Sequence, residues 1–70
     1  MTTTSARIPL PRRITYYLRR TPGPQHYRVI ARHLRTTYLR TYRACQRMLH
    51  DGRLRGVDVG TYVLREEGTP

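Results

Sequence analysis

The chain has 70 residues and a formal charge of +10, made of 14 basic residues, all of them arginine, against Asp51, Asp58, Glu66 and Glu67. A domain this short buries only about 60% of the surface of its unfolded chain, which leaves one small core and argues against a second domain or a deep catalytic cavity. A single cysteine, Cys45, cannot form an internal disulfide, and neither an apolar run of about 20 residues nor a charged start followed by an apolar stretch marks a membrane span or a secretory signal, so the expectation is a cytoplasmic chain held by packing alone.

Residues 1–7 (MTTTSAR) are polar and basic and predict a disordered arm. In the next stretch Pro11 suits a first helical turn, and Ile14, Tyr17 and Leu18, joined by Leu10, share one face, which predicts a helix over 10–20 that the TPGP of residues 21–24 stops. Tyr27, Ile30, Ala31 and Leu34 predict a short second helix over 27–34, with Arg28, Arg32 and His33 turned away from its apolar face. Thr37 is a candidate N-cap for a third helix over about 37–50. There Tyr38, Thr41, Cys45 and Met48 stack on one side, and Leu39, Arg40, Arg43, Gln46, Arg47 and His50 occupy the other. Gly52 is the expected C-terminal cap. Beyond it the period falls to two, with Leu54 on one arm of a short hairpin, Tyr62 and Leu64 on the other, and the GVDVG of residues 56–60 between them. Residues 66–70 read as a frayed tail, leaving one α+β domain over 8–65.

From Met1 to His50 there is no carboxylate. Such a field destabilises the chain by self-repulsion, and a polyanionic partner, nucleic acid first, is the economical explanation. Arginine suits bidentate contacts to phosphate and to guanine edges, although a GC-rich coding bias accounts for the missing lysine equally well. An acidic membrane surface fits less, because no basic face is backed by a broad Leu/Phe/Trp face.

Catalysis lacks its parts: there is no carboxylate pair near a pocket, no glycine-rich phosphate loop after a strand, and no nucleophile with a base in reach. No enzyme activity and no cofactor are expected. His26, His33, Cys45 and His50 match no zinc spacing, and Cys45 is expected in the core while His50 faces out, so no metal is expected either. Tyr17, Tyr27, Tyr38 and Tyr62 fall on apolar faces and are expected to fill a core without Phe or Trp, whereas Tyr16 and Tyr42 are freer.

Three helices and a hairpin, with a tight link between the second and third helices, resemble the winged helix-turn-helix family of DNA-binding domains. The likeness rests on IARHL (Ile30, Ala31, Leu34), on Gly52 falling 18 residues after Leu34, on Cys45 and Met48 at two buried positions, on Leu54 two residues after the glycine, and on GTYVL as the returning wing strand. It covers residues 10–65 and implies a three-helix bundle followed by a C-terminal β-hairpin wing. Arg35 departs from it by standing where the family often has a turn glycine, so either Arg35 is left-handed or the turn is built differently. Thr36 and Thr41 stand where Leu, Val or Ile is usual, and the Thr41 hydroxyl then has to bond a carbonyl one turn earlier.

The resemblance further implies that the third helix enters the major groove of double-stranded DNA. Arg40, Arg43, Gln46 and Arg47 would then face base edges, Leu39 a thymine methyl, and Thr37 and Tyr38 the phosphates near the helix N-terminus, with Tyr42 as a further contact. Arg53 and Arg55, pointing away from Leu54, would make wing contacts, and Arg7, Arg12 and Arg13 would neutralise phosphate. The small size and lack of a sensor suggest, by analogy, a phage or mobile-element regulator or recombination factor, nucleoid-associated or in host cytoplasm, as a monomer or a weak DNA-dependent dimer. The alternative expectation is a phage-type interaction module whose basic face binds and inhibits an acidic host protein, carboxylates standing in for phosphates.

Overall fold

The computed structural model describes residues 8–65, so the arm expected over 1–7, with Arg7, and the tail expected over 66–70 lie outside the described residues. The elements are α1 (Leu10–Arg20), β1 (Gln25–His26), α2 (Tyr27–Leu34), α3 (Tyr38–His50), β2 (Leu54–Asp58) and β3 (Thr61–Leu64). Three helices are followed by a C-terminal antiparallel hairpin in a winged helix-like arrangement, as the sequence predicts.

α1 has no side-chain cap. Pro9 O instead accepts from the amides of Arg12 and Arg13 at 3.0 and 3.2 Å, and Pro11 lies in the first turn, where its missing N–H costs nothing. Ile14 and Leu18 are buried, with Leu10 and Tyr17 packed beside them. Arg13, expected to neutralise phosphate, is half-buried, and its Nη2 donates to Leu34 O at 2.6 Å. It thereby satisfies a carbonyl at the end of α2 and ties α1 to α2, because the last carbonyls of a helix lack intrahelical donors.

The link from α2 to α3 takes the left-handed alternative: Arg35 has φ 58° and ψ 48°, and the amides of Arg35 and Thr36 turn back to Arg32 O and Ala31 O at 3.3 and 3.0 Å. That paired-bond ending is the Schellman motif. Thr37 then caps α3, its Oγ1 accepting from Arg40 N at 3.2 Å. Thr41, fully buried, donates its hydroxyl to Thr37 O at 2.9 Å, one turn back, as its place among apolar residues requires. α3 ends in a second Schellman motif: Gly52 has φ 83°, Gly52 N reaches Leu49 O at 3.1 Å, and Arg53 N reaches Met48 O at 2.8 Å.

The sheet differs from the expected lone hairpin in having a third strand. β1 pairs antiparallel with β3, giving the order β1-β3-β2, with Gln25 opposite Tyr62 and His26 opposite Thr61. The hairpin is also longer at its tip than expected. Gly56, Val57 and Asp58 belong to β2 rather than to the connection, only Val59 and Gly60 link the strands, and Val57 is the extra residue of a bulge between Gly56 and Asp58. Gly60 (φ 74°) is required where it stands: a Cβ there would sit 2.9 Å from His26 Nε2, and its carbonyl accepts from Tyr27 N at 2.9 Å.

The core unites Ile14, Leu18, Ile30, Ala31, Cys45, Met48, Leu54 and Tyr62, one or two residues from nearly every element. Among the described residues every buried side-chain nitrogen or oxygen has a hydrogen-bond partner.

Candidate nucleic-acid interface

α3 packs against α2, α1 and β2 through Thr41, Cys45 and Met48, so its opposite side is left at the surface. Leu39, Arg40, Arg43, Arg47 and His50 are all exposed there, on a helix whose sequence holds no carboxylate before Asp51, just past its end. Gln46 is half-buried and donates Nε2 to Tyr42 Oη at 2.7 Å. An amide has a second N–H and a carbonyl oxygen, so this bond fixes the side chain and leaves a donor and an acceptor for a base edge. Tyr42, at the margin of exposure, is held in turn by its ring packing on Tyr27, 5.1 Å between centroids.

Tyr38 corrects the expectation of a core tyrosine, being 46% exposed. It lies in the first turn of α3 and meets the Tyr27 ring edge-on, at 6.4 Å. The guanidinium of Arg28 covers the Tyr38 ring at 5.5 Å. The start of α2 therefore adds residues to the surface that the helical pattern did not single out. His26 caps α2, its Nδ1 accepting from Arg28 N at 3.1 Å, and stacks on Tyr27 at 4.6 Å, which in turn supports Tyr38 and Tyr42. No sequence period signals this cluster, since it joins the starts of two separate helices; the only hint is Tyr beside Arg at 27–28 with no acid nearby.

In the wing, Arg53 and Arg55 are exposed on either side of buried Leu54, as the alternation predicts. Arg53 is anchored by its backbone, its carbonyl accepting from Arg65 N at 3.0 Å. Arg65 was not singled out in the sequence, yet this bond brings it beside Arg53, with its guanidinium 3.5 Å from where a Gly52 Cβ would stand. The wing's cations thus gather at its base, by the end of α3. Its tip carries Val57, Asp58 and Val59 instead.

Thr37 contributes by capping and is an exposed residue at the helix start. Arg12 is exposed on α1, and Arg20 lies over the Tyr16 ring at 5.3 Å. Cys45 is buried, which pushes its thiol up to about 12, and His50 faces outward, so the two do not meet. Among the described residues there is no cluster of three metal-ligating side chains, and no helix is long and apolar enough to cross a membrane. Comparison with protein-family models, with curated proteins and with solved structures found no match for this chain.

Proposed function

We propose that the chain binds double-stranded DNA in a sequence-preferring way, with α3 in the major groove, and serves as a small transcriptional regulator or as a recombination or architectural accessory factor rather than as an enzyme. The observation that carries this reading is the outer face of α3, where Arg40, Arg43 and Arg47 stand exposed on a rigid, capped helix with no carboxylate of its own. A solvated helix face normally mixes signs, and arginines at i, i+3 and i, i+4 repel one another, so the arrangement is costly unless an anion meets it. The major groove admits one helix, and a guanidinium there bonds guanine O6 and N7 together, each such pair discriminating by ~1–3 kcal/mol. Gln46, held by Tyr42, has the free donor and acceptor that adenine needs. Tyr38 with Arg28, and Arg53, Arg55 and Arg65 at the wing base, are suited to phosphates on either side.

A salt titration against duplex DNA tests this. With about five phosphates neutralised, log affinity falls against log salt with a slope of about −4 to −5. Binding that ignores salt, or no binding at low salt, would refute the proposal. The second reading, capture of an acidic protein, is favoured by exposed Leu39 among the arginines, an apolar group that a protein interface would cover. It requires that duplex DNA fail to compete for the α3 face.

A further inference from the structure

Two surface features are built from residues other than the arginines on the outer face of α3, and their chemistry matches. One is the wing tip. Val57 is 50% exposed and Val59 90% exposed, with Asp58, the only acid of the wing, between them. Asp58 Oδ1 accepts from Val59 N at 2.7 Å, which orders the tip, and a carboxylate has further lone pairs to present outward. The tip is ill suited to a phosphate backbone because its carboxylate would face like charge.

The other feature is an open groove of about 580 Å³ between α1 and the end of α2, lined by Ile8, Tyr16, Tyr17 and Leu34 together with Arg13 and Arg20. Its volume is that of a binding site, and its composition is a mainly apolar surface with two cations. Tyr17 is stiffened by His33 stacked on it at 5.0 Å, and Arg13 is fixed by its bond to Leu34 O. The groove is therefore preformed. Tyr16 is 62% exposed beside it.

We propose that the wing tip of one copy seats in the α1–α2 groove of a second copy of the chain, Asp58 meeting Arg20 and Arg13 while Val57 and Val59 cover the tyrosines and Leu34. The charges complement one another, which is notable in a chain that otherwise repels itself. Residues 1–7, adjoining Ile8, carry Arg7 and no acid, so they would bring like charge to Arg13 and Arg20 and are poor occupants. A molecule does not fill its own groove: the tip lies at the start of α2, where Gly60 O accepts from Tyr27 N, and the groove at its end, the eight residues of α2 separating them by about 12 Å. The contact is consequently heterologous, and copies joined by it run head to tail.

Disulfide trapping tests the contact. Val59→Cys and Tyr16→Cys proteins, distinguishable by mass, are mixed in equal amounts and oxidised gently without nucleic acid at physiological ionic strength, where a Debye length of ~8 Å screens the global repulsion but not a direct contact. Cys45 stays out of the reaction because it is buried and its thiol is pushed up to about 12. The mixed dimer is expected in several-fold excess over the ratio of random encounter. Asp58→Asn, which keeps the oxygen that accepts from Val59 N and removes the charge, and Arg20→Gln, at an exposed position, should each return the yield to that ratio. Random yields in the starting pair, or an excess indifferent to both charge-removing variants, overturn the proposal. Because no DNA is present, either result leaves the reading of α3 untouched.

Discussion

The two faces of α3 divide thirteen residues between two tasks. On the inner face Thr41, Cys45 and Met48 are almost wholly removed from water, and every polar atom they bring is satisfied. On the outer face Arg40, Arg43 and Arg47 stand in solvent at positions where like charges weaken the helix. The inner face accounts for why the helix holds its place, whereas the three outer arginines add like-charge repulsion to it. Stability and binding should therefore separate by face, and mutation can break that separation or sharpen it.

The largest effect is expected from Met48→Ala. Met48 sits in the core with Ile14, Ile30, Leu54 and Tyr62, and truncating a buried side chain of this size costs ~2–5 kcal/mol. That is a large share of the ~5–15 kcal/mol that stabilises a typical domain, and a chain of this length has few other core residues to compensate. Urea midpoints should fall sharply, while protein that remains folded should bind duplex DNA as before. A change in intrinsic affinity matching the loss of stability would show that the faces are not independent.

On the outer face the expected signs reverse. Arg43→Ala should weaken binding to a preferred duplex by ~1–3 kcal/mol and relax preference at one base pair. Its folding stability should rise by ~0.2–0.5 kcal/mol, because Arg40 and Arg47 lose a like-charged neighbour. Arg55→Ala, at the wing base, should lower affinity for all sequences alike and reduce the salt slope by about 1. If both variants act alike on all sequences, α3 does not read bases.

The sequence disclosed the helices more fully than the sheet, for a physical reason. A helix writes its buried face into the chain every three or four residues, so Ile14 with Leu18, and Cys45 with Met48, identify themselves. β1 has two residues, Gln25 and His26, flanked by a proline and a helix start, and two residues contain no period. It is a strand only because β3, more than thirty residues later, supplies partners. The bulge at Val57 hid the length of β2 in the same way, since an extra residue breaks the alternation that marks a strand. In the candidate site, Arg40, Arg43, Arg47, Arg53 and Arg55 were placed on the surface correctly by position within their elements. Tyr38 carries two expectations, core filling by helical phase and a surface contact by its place in the first turn of α3, and its exposure overturns the first alone. The aromatic cluster of His26, Tyr27, Tyr38 and Tyr42 and the Arg13 bond to Leu34 depend on tertiary approach alone.

The smallest expected effect concerns the ends of α2 and α3, which close in the same backbone motif with different residues. Gly52 adopts a positive φ without strain, whereas Arg35 adopts one at φ 58° against the crowding between its Cβ and carbonyl oxygen. Arg35→Gly removes that crowding, worth ~1–2 kcal/mol, but gives the unfolded chain more freedom to lose, worth ~0.5–1 kcal/mol. A net gain of about 0.5–1 kcal/mol is expected, read as a rise in melting temperature. The two amide bonds to Arg32 O and Ala31 O are backbone bonds and survive the substitution. Stability that falls instead would mean that the guanidinium of Arg35 contributes more than the strain it carries. An unchanged salt slope would place Arg35, unlike the arginines of α3, away from the duplex.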